Sequence, residues 1–349
     1  MHLKVALLGF GNVGRALAEL LIDKSDALRQ TYGINVRVVG ISTGRHGHAI
    51  DANGIHLRTA LDAVRHDSSL KGLHQGRAIE DAMQFLAECP ADLVFESIPT
   101  NPQDGQPALD YARFILETGM HLITANKGPV AFGYRDLSTL AASRGVGFFF
   151  ESTVMDGAPV LGIGREALPV AEVRRVRGIF NSTTNYILTR MEHEGLSFES
   201  ALSAAQAIGI AESDPSLDID GWDSAIKTAI LANVLMGADL RPADVDRQGI
   251  RGLTLADVEA AAAAGERIRL LCEATRDEDG RVIAWVRPER VRSSDVLASV
   301  TGTSSVVNIE TDTLPRLTLI EHDPGPATTA YGMLVDMINI ARNRHRALT

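Results

Sequence analysis

Hydrophobic positions in the first 150 residues fall into short blocks separated by amphipathic stretches. Leu3-Lys-Val-Ala-Leu-Leu8 reads as a short buried strand, and Arg15-Ala-Leu-Ala-Glu-Leu-Leu21 spaces its apolar residues as a helix does. Val36 to Ile41 is a second strand. Alternation continues with a helix over 78–88, a strand over 91–96, a helix over 108–118, a strand over 121–124, a helix over 134–144 and a strand over 147–151. This βαβα order predicts a parallel, doubly wound α/β sheet. Such sheets bind ligands at the carboxyl ends of their strands. The turn at 9–14, Ser97–Asn101 and Thr124–Lys127 are therefore expected at one crevice.

From about residue 152 the pattern changes. A helix is expected over 154–168, then a strand of alternating character over 172–180. Helices follow over 183–193, 198–208, 224–236 and 255–264, and strands over 269–275, 282–286, 306–311 and 317–321. This predicts an α+β second domain over residues 151–323, whose apolar strand faces could supply a dimer interface. Asp323-Pro-Gly325-Pro leads into a last helix over 328–342. Segment 324–349 is expected to return to the first domain, residues 1–150, as a clasp across the cleft.

Gly9-Phe10-Gly11-Asn12-Val13-Gly14 stands between the first strand and its helix, the setting a dinucleotide-binding GxGxxG motif requires. The first glycine allows the tight turn, the second lets a pyrophosphate approach the backbone, and the third lets helix pack on strand. The free N–H groups and positive dipole end of the helix then face the phosphates. The first domain is thus expected to be Rossmann-type. An acid near the end of the second strand would hold the ribose of NAD. Here Ser42-Thr43-Gly44-Arg45 stands instead, with Arg58 further on, which favours NADP over NAD because a 2′-phosphate attracts cations. His46 and His48 fall in this Gly-rich loop, where a histidine is ordinarily solvated rather than metal-bound.

One segment of the second half concentrates charge. A helical run ends at Gly209, a loop carries Glu212, Asp214, Asp218 and Asp220, and a second helix starts near Asp223. Lys227 is the lone charged residue in Ser224 to Met236, four positions after Asp223, so the two share a helix face. Spacing alone favours an ordinary i, i+4 ion pair of ~0.3–0.5 kcal/mol beside a solvated loop. A calcium loop is excluded, because its twelfth position would be Lys227 instead of a bidentate glutamate. Lys127, a cation at a strand end, reads equally well as a surface loop residue.

Composition narrows the partners. A net charge of −10 argues against general nucleic-acid binding. The chain shows no apolar run of membrane length and no signal peptide before its first strand. Cys89 and Cys272 are isolated, which suits a reducing cytoplasm and excludes a disulfide framework. Its 349 residues, 45% hydrophobic and 22% charged, can build two soluble domains.

The segment A-x3-G-I-A-x2-D-P-x2-D-I-x-G-x-D-x3-K, Ala205 to Lys227, closely resembles the homoserine dehydrogenase signature. Four more blocks agree in order: Gly9–Gly14, Thr124–Pro129, Glu151–Val154 and Gly178–Leu188. The C-terminal Pro324-Gly325-Pro and its helix also fit, so the resemblance covers essentially the whole chain. It implies NAD(P)-dependent interconversion of L-homoserine and L-aspartate 4-semialdehyde, in threonine, methionine and isoleucine biosynthesis, by a homodimer built through the second domain. By resemblance, Lys227 and Lys127 match the lysines at the reacting hydroxyl. Glu212, Asp218 and Asp223 match acids that bind substrate or orient the lysine, and Thr183 lines the substrate pocket. Gly9, Phe10, Gly11, Asn12, Val13 and Gly14 match the cofactor turn, and Thr100, Asn126, Lys127 and Gly325 lie along the cofactor. Carbonyls near Glu151, Val154, Asp156 and Ala158 match a monovalent cation site for Na+ or K+.

Three departures stand out. Ser182 replaces a common glycine, Ile210 a common tyrosine, and Met155-Asp156-Gly157 a glycine-richer stretch. The sequence stops after the clasp helix, so the expected form lacks a C-terminal regulatory domain and threonine feedback; strong inhibition by physiological threonine would refute this. The chemistry is coherent: a lysine of reference pKa ~10.4 becomes a usable base where burial and a second ammonium disfavour its charge. Asp223 opposes that effect and is assigned to orientation. Two rivals remain: a dehydrogenase of another short amino or 2-hydroxy acid, and a non-catalytic nucleotide-binding relative.

Overall fold

The strand His2–Leu8 (β1) buries five of its seven residues, and strands pair with it on both edges. A computed structural model describes residues 1–342 and resolves the chain into two compact units, each with its own sheet. The first comprises Met1–Gly157 and the chain from Gly325 onward; the second is Ala158–Pro324.

In the first unit the strands are β1, β2 (Asn35–Thr43), β3 (Gly47–Ile50), β4 (Leu93–Glu96), β5 (His121–Thr124) and β6 (Phe148–Phe149), in the order β3-β2-β1-β4-β5-β6. All neighbours run parallel except β3, which returns antiparallel on β2. The Gly-rich loop expected around His46 and His48 is therefore a hairpin, and His48 stands on a strand. Between them run α1 (Asn12–Asp23), α2 (Ser25–Tyr32), α3 (Leu57–Arg65), α4 (Ala82–Glu88), α5 (Ala108–Glu117) and α6 (Lys127–Arg144). Helix α6 starts seven residues before the expected Tyr134. Asn126 caps it by accepting the Gly128 N–H at 2.9 Å, and Pro129 falls in the first turn, where a missing N–H costs nothing.

The expected helix over 154–168 is broken. A single 3₁₀ turn covers Glu151–Thr153, Asp156 adopts a left-handed φ of 36°, and α7 (Val160–Gly162) passes into a wide turn over Ile163–Ala167. Gly157, Pro159, Gly162 and Gly164 in one stretch explain the break.

The second unit has β7 (Val173–Ile179), β8 (Asp246–Arg247), β9 (Glu266–Arg276), β10 (Val282–Arg292), β11 (Ser305–Thr311) and β12 (Leu317–Glu321), in the order β12-β11-β7-β9-β10-β8. Its helices are α8 (Ser182–Glu194), α9 (Phe198–Ala207), α10 (Ser216–Ile219), α11 (Trp222–Met236), α12 (Leu255–Ala263) and α13 (Val296–Ser299). Helix α11 packs on β7, β9 and β10 and buries ten of its fifteen residues. That is why its sequence is apolar all round rather than on one stripe.

The chain then re-enters the first unit as α14 (Pro326–Arg342). Ala330, Met333, Leu334, Met337 and Ile340 recur at helical spacing and join the core built on Leu3, Leu17 and Leu21. Of the segment expected to close this domain, residues 343–349 lie outside the described residues.

Candidate active site

In the first unit the GxGxxG turn follows β1 directly. Gly9 has φ 104° and donates its N–H to the Ser42 carbonyl at 2.9 Å. A Cβ there would stand 2.7 Å from the Ser97 backbone carbon, and one at Gly14 would stand 2.4 Å from the Gly9 carbonyl oxygen. Both positions are closed to any side chain. Gly11 is different: nothing lies within 4 Å of where its Cβ would be. It is the N-cap of α1, with no side-chain cap, so first-turn N–H groups of α1 are left for a ligand. An open glycine at the positive end of a helix fits a pyrophosphate. Asn12 takes a hydrogen bond from Arg15 at 2.8 Å, while Phe10 and Val13 pack into the core.

At the far end of β2, Arg45 lies exposed in the hairpin turn and pairs with Asp67 at 2.9 Å. His46 Nδ1 stands 3.1 Å from the Ser68 carbonyl, and His48 Nδ1 2.9 Å from the Ser42 hydroxyl. Burial lowers the His48 pKa, with Asp81 opposing. Among the described residues, no group of three or more His, Cys, Asp or Glu side chains could hold a metal.

Thr100, Asn126 and Lys127 do come together. Lys127 opens α6, and its N–H points to the Thr100 hydroxyl at 3.4 Å. The Asn126 carboxamide reaches the Ile98 carbonyl at 3.2 Å and the Pro99 carbonyl at 3.4 Å. Beneath them is Glu96, fully buried, which the sequence reading passed over as a strand end. Gly325 immediately precedes α14 and exchanges hydrogen bonds with Thr328, at 2.8 and 2.7 Å. Glu151 and Asp156 are tied to α14: the Glu151 N–H donates to Asp336 at 2.9 Å, and Asp156 accepts from Thr329 at 2.8 Å. Val154 and Ala158 are buried in the same irregular stretch, on either side of the unit boundary.

The second unit gathers Thr183, Asp218, Asp223 and Lys227 around Asn181. Asn181 follows β7 and caps α8, accepting the Thr184 N–H at 2.8 Å. Its amide nitrogen donates to Asp218 at 2.6 Å and to Asp223 at 3.0 Å, bridging the two carboxylates. Lys227 Nζ lies 3.1 Å from Asp223 and donates to the Phe180 carbonyl at 2.7 Å. The Lys227 and Asp223 side chains are 17% and 14% exposed, reachable by a small ligand yet largely desolvated. Burial pushes the Asp218 carboxyl above its usual range, and Asp223 pushes it the same way; Asn181, Thr183 and Lys227 pull it back. Thr183 also donates to the Ile210 carbonyl at 3.2 Å.

The acidic loop sorts itself. Asp218, on α10, turns inward. Asp220 is held by Arg251 through two bonds of 2.8 Å, and Arg247 stacks on Trp222 while donating to the Asp220 carbonyl. Asp214 caps the Ser216 N–H at 3.1 Å. Glu212 is exposed, and among the described residues its carboxylate makes no bond to the Asn181 cluster. Asn181 is the organiser that sequence reading missed. An asparagine between a strand and a helix was its signal, but that pattern alone says only helix cap.

An open glycine turn that fits a dinucleotide, in the first unit, and a largely desolvated lysine beside carboxylates, in the second, are features expected of a dehydrogenase of alcohols. That places the chain among NAD(P)-dependent oxidoreductases acting on a CH–OH group. Comparison with known proteins is specific. The family model described as homoserine dehydrogenase matches residues 159–338. A homoserine dehydrogenase of Methanocaldococcus jannaschii is 37% identical over 336 residues, covering 96% of this chain and 98% of that protein. An NAD(+)-dependent homoserine dehydrogenase of Pseudomonas canavaninivorans is 35% identical, covering 98% and 97%. Among solved structures, a hyperthermophilic archaeal homoserine dehydrogenase in complex with NADPH matches with a TM-score of 0.84 and 29% identity, over 100% of both chains. The chain belongs to the homoserine dehydrogenase family.

Proposed function

We propose that the protein interconverts L-homoserine and L-aspartate 4-semialdehyde, with Lys227 carrying the hydroxyl proton. The observation that carries this is the pair of contacts on Lys227 Nζ, from Asp223 and the Phe180 carbonyl, beside a second carboxylate. Both contacts attract an ammonium, so in semialdehyde reduction Lys227 donates a proton to the forming alkoxide. In homoserine oxidation it takes the proton back. NAD(P), when bound, supplies or accepts the hydride. Asp223 orients Lys227; Asp218 and the exposed Glu212 bind the substrate ammonium, and Thr183 lines the pocket. Lys127 assists as a second cation, at the substrate carboxylate or the reacting hydroxyl.

Gly9 to Gly14, Thr100, Asn126, Lys127 and Gly325 hold the cofactor, with Arg45 at the 2′-phosphate of NADP. NADP is preferred: residues 42–44 offer no carboxylate to the ribose, although Asp67 competes for the Arg45 guanidinium. Initial rates of homoserine oxidation with NAD and NADP side by side test reaction and preference together. Malate and lactate are the controls; faster turnover of either would refute the substrate. A Gly11→Val variant is expected to keep its melting temperature and weaken cofactor binding by ~10²-fold or more, since its side chain fills only the space left for the pyrophosphate. Unchanged cofactor affinity would remove the turn from the site.

Two finer points belong to the same reading. Carbonyls of the irregular stretch from Glu151 through Val154 and Asp156 to Ala158 would hold Na+ or K+; activity unaffected by replacing both ions with a bulky organic cation would count against it. A homodimer forms through the second sheet. Cys272 is fully buried on β9, the strand against which α11 packs, so by strand alternation the register neighbours Arg177, Glu273 and Trp285 face the other way. That face carries the pairs Arg175–Glu273 and Arg177–Glu289, at 2.5 and 2.9 Å, around the half-buried Trp285. Such a face can match itself about a two-fold axis. A monomer in sedimentation at micromolar concentration would exclude it. The reading places the enzyme in the cytoplasm; no helix of the described residues is long and apolar enough to cross a membrane.

A further inference from the structure

Glu96 ends β4, with no measurable exposure, and pairs in register with Leu8 of β1 and Thr124 of β5. Three donors converge on its carboxyl: the Thr124 hydroxyl at 2.5 Å, the Ile98 N–H at 2.8 Å and the Asn126 carboxamide at 3.4 Å. The Thr124 hydroxyl also accepts the Asn126 N–H at 2.9 Å, and the Asn126 side chain accepts the Gly128 N–H at 2.9 Å. One carboxyl thus ties the loop after β4, which carries Thr100, to the turn that starts α6. We propose that Glu96 is a positioning residue for the reaction: through Ile98, Thr124 and Asn126 it sets where Asn126 and Lys127 stand. This rests on the roles proposed above for those two residues.

The tie has two forms. With Glu96 ionised, all three neighbours donate to it, as the geometry shows. With Glu96 protonated on the oxygen facing Thr124, that bond must reverse. The Thr124 hydroxyl then turns its hydrogen to the Asn126 carbonyl, 3.4 Å away, a much poorer partner. The Ile98 and Asn126 N–H donors have no such freedom. Among the described residues, the groups that bond Glu96 are all uncharged, so its burial dominates. Burial pushes its carboxyl up to about 7, with the Thr124, Ile98 and Asn126 bonds opposing. Protonation therefore loosens the tie as pH falls through neutrality.

Steady-state kinetics between pH 6 and 9 on the parent, Glu96→Gln, Thr124→Val and Thr124→Ser test this. The parent's kcat is expected to rise with pH through an inflection near 7. Glu96→Gln presents an amide to Thr124, as the protonated acid would. It is expected to lose that inflection and run roughly ten-fold below the parent at pH 8. Thr124→Val should behave the same way, and Thr124→Ser, which keeps the hydroxyl, should recover most of the loss. An inflection that persists in Glu96→Gln, or a Thr124→Val variant with the parent's kcat and profile, overturns the proposal. Loss of kcat with the profile unchanged in shape assigns Glu96 to stability alone and also overturns it. If Glu96→Gln does not fold, the two Thr124 variants read the same contact. Lys127→Ala separates the layers: parent-like turnover there refutes the reading of Lys127, whereas a large loss there with inert Glu96 and Thr124 variants refutes only this inference.

Discussion

Lys227→Ala is expected to lower kcat for homoserine oxidation by ~10²–10⁴-fold and leave cofactor affinity unchanged. The lysine lies on α11 in the second unit, and the glycine turn lies in the first, so the two effects are separable. Proton transfer contributes at about this scale when the group is held within hydrogen-bond reach of the reacting atom. Here Asp223 at 3.1 Å and the Phe180 carbonyl at 2.7 Å hold it. The substitution also removes the cation facing Asp218 and Asp223. The Asp218 carboxyl, which Lys227 pulls down, would then favour protonation more strongly, and some stability should be lost at neutral pH. A thermal melt beside the kinetics keeps that loss from being read as catalysis. Lys227→Met, closer in volume, guards against a cavity effect. Turnover within a few-fold of the parent in a folded Lys227→Met variant would reject Lys227 as the proton carrier.

The sequence made the order of elements and the chemistry of the central segment legible for different reasons. Blocks such as Val5–Leu8 and Leu93–Phe95 are buried on both faces of a parallel sheet, so they read as unbroken apolar runs. GxGxxG is legible because it encodes close backbone approaches, at Gly9 and Gly14, that any other residue would violate. The fate of individual carboxylates was not legible. Asp214, Asp218 and Asp220 alternate within seven residues, yet one caps a turn, one faces the Asn181 cluster and one is bound by Arg251, 31 residues away. That sorting depends on α10, a single turn whose Ile219 carbonyl receives the Ile250 N–H at 2.7 Å. Glu96 was hidden for a related reason: an acid at a strand end looks solvated until its neighbours are known. The stretch over 154–168 has the apolar spacing of a helix, yet Gly157, Pro159, Gly162 and Gly164 break it.

The largest expected change in stability lies away from the chemistry, at the far end of the helix that carries Thr183. Glu192, in the last turns of α8, is 7% exposed and accepts from Arg269 at 2.9 Å, and Arg267 pairs with it at 2.6 Å. The Arg269 side chain is entirely buried; its terminal nitrogens also reach the Ala298 carbonyl at 2.7 Å and the Ile268 carbonyl at 2.9 Å. Glu192→Ala strands a guanidinium that cannot lose its charge, and is expected to cost ~3–5 kcal/mol. The double variant Glu192→Leu with Arg269→Met removes both charges and keeps the volume, so it is expected to recover most of the loss. Urea unfolding of the parent, the single variant and the double variant measures this directly. A single variant within ~1 kcal/mol of the parent would show that Arg267 and the two carbonyls suffice to hold Arg269. Recovery in the double variant would show that α8 needs its volume at this point rather than its charge, and with it the placement of Asn181 and Thr183 at the helix's other end.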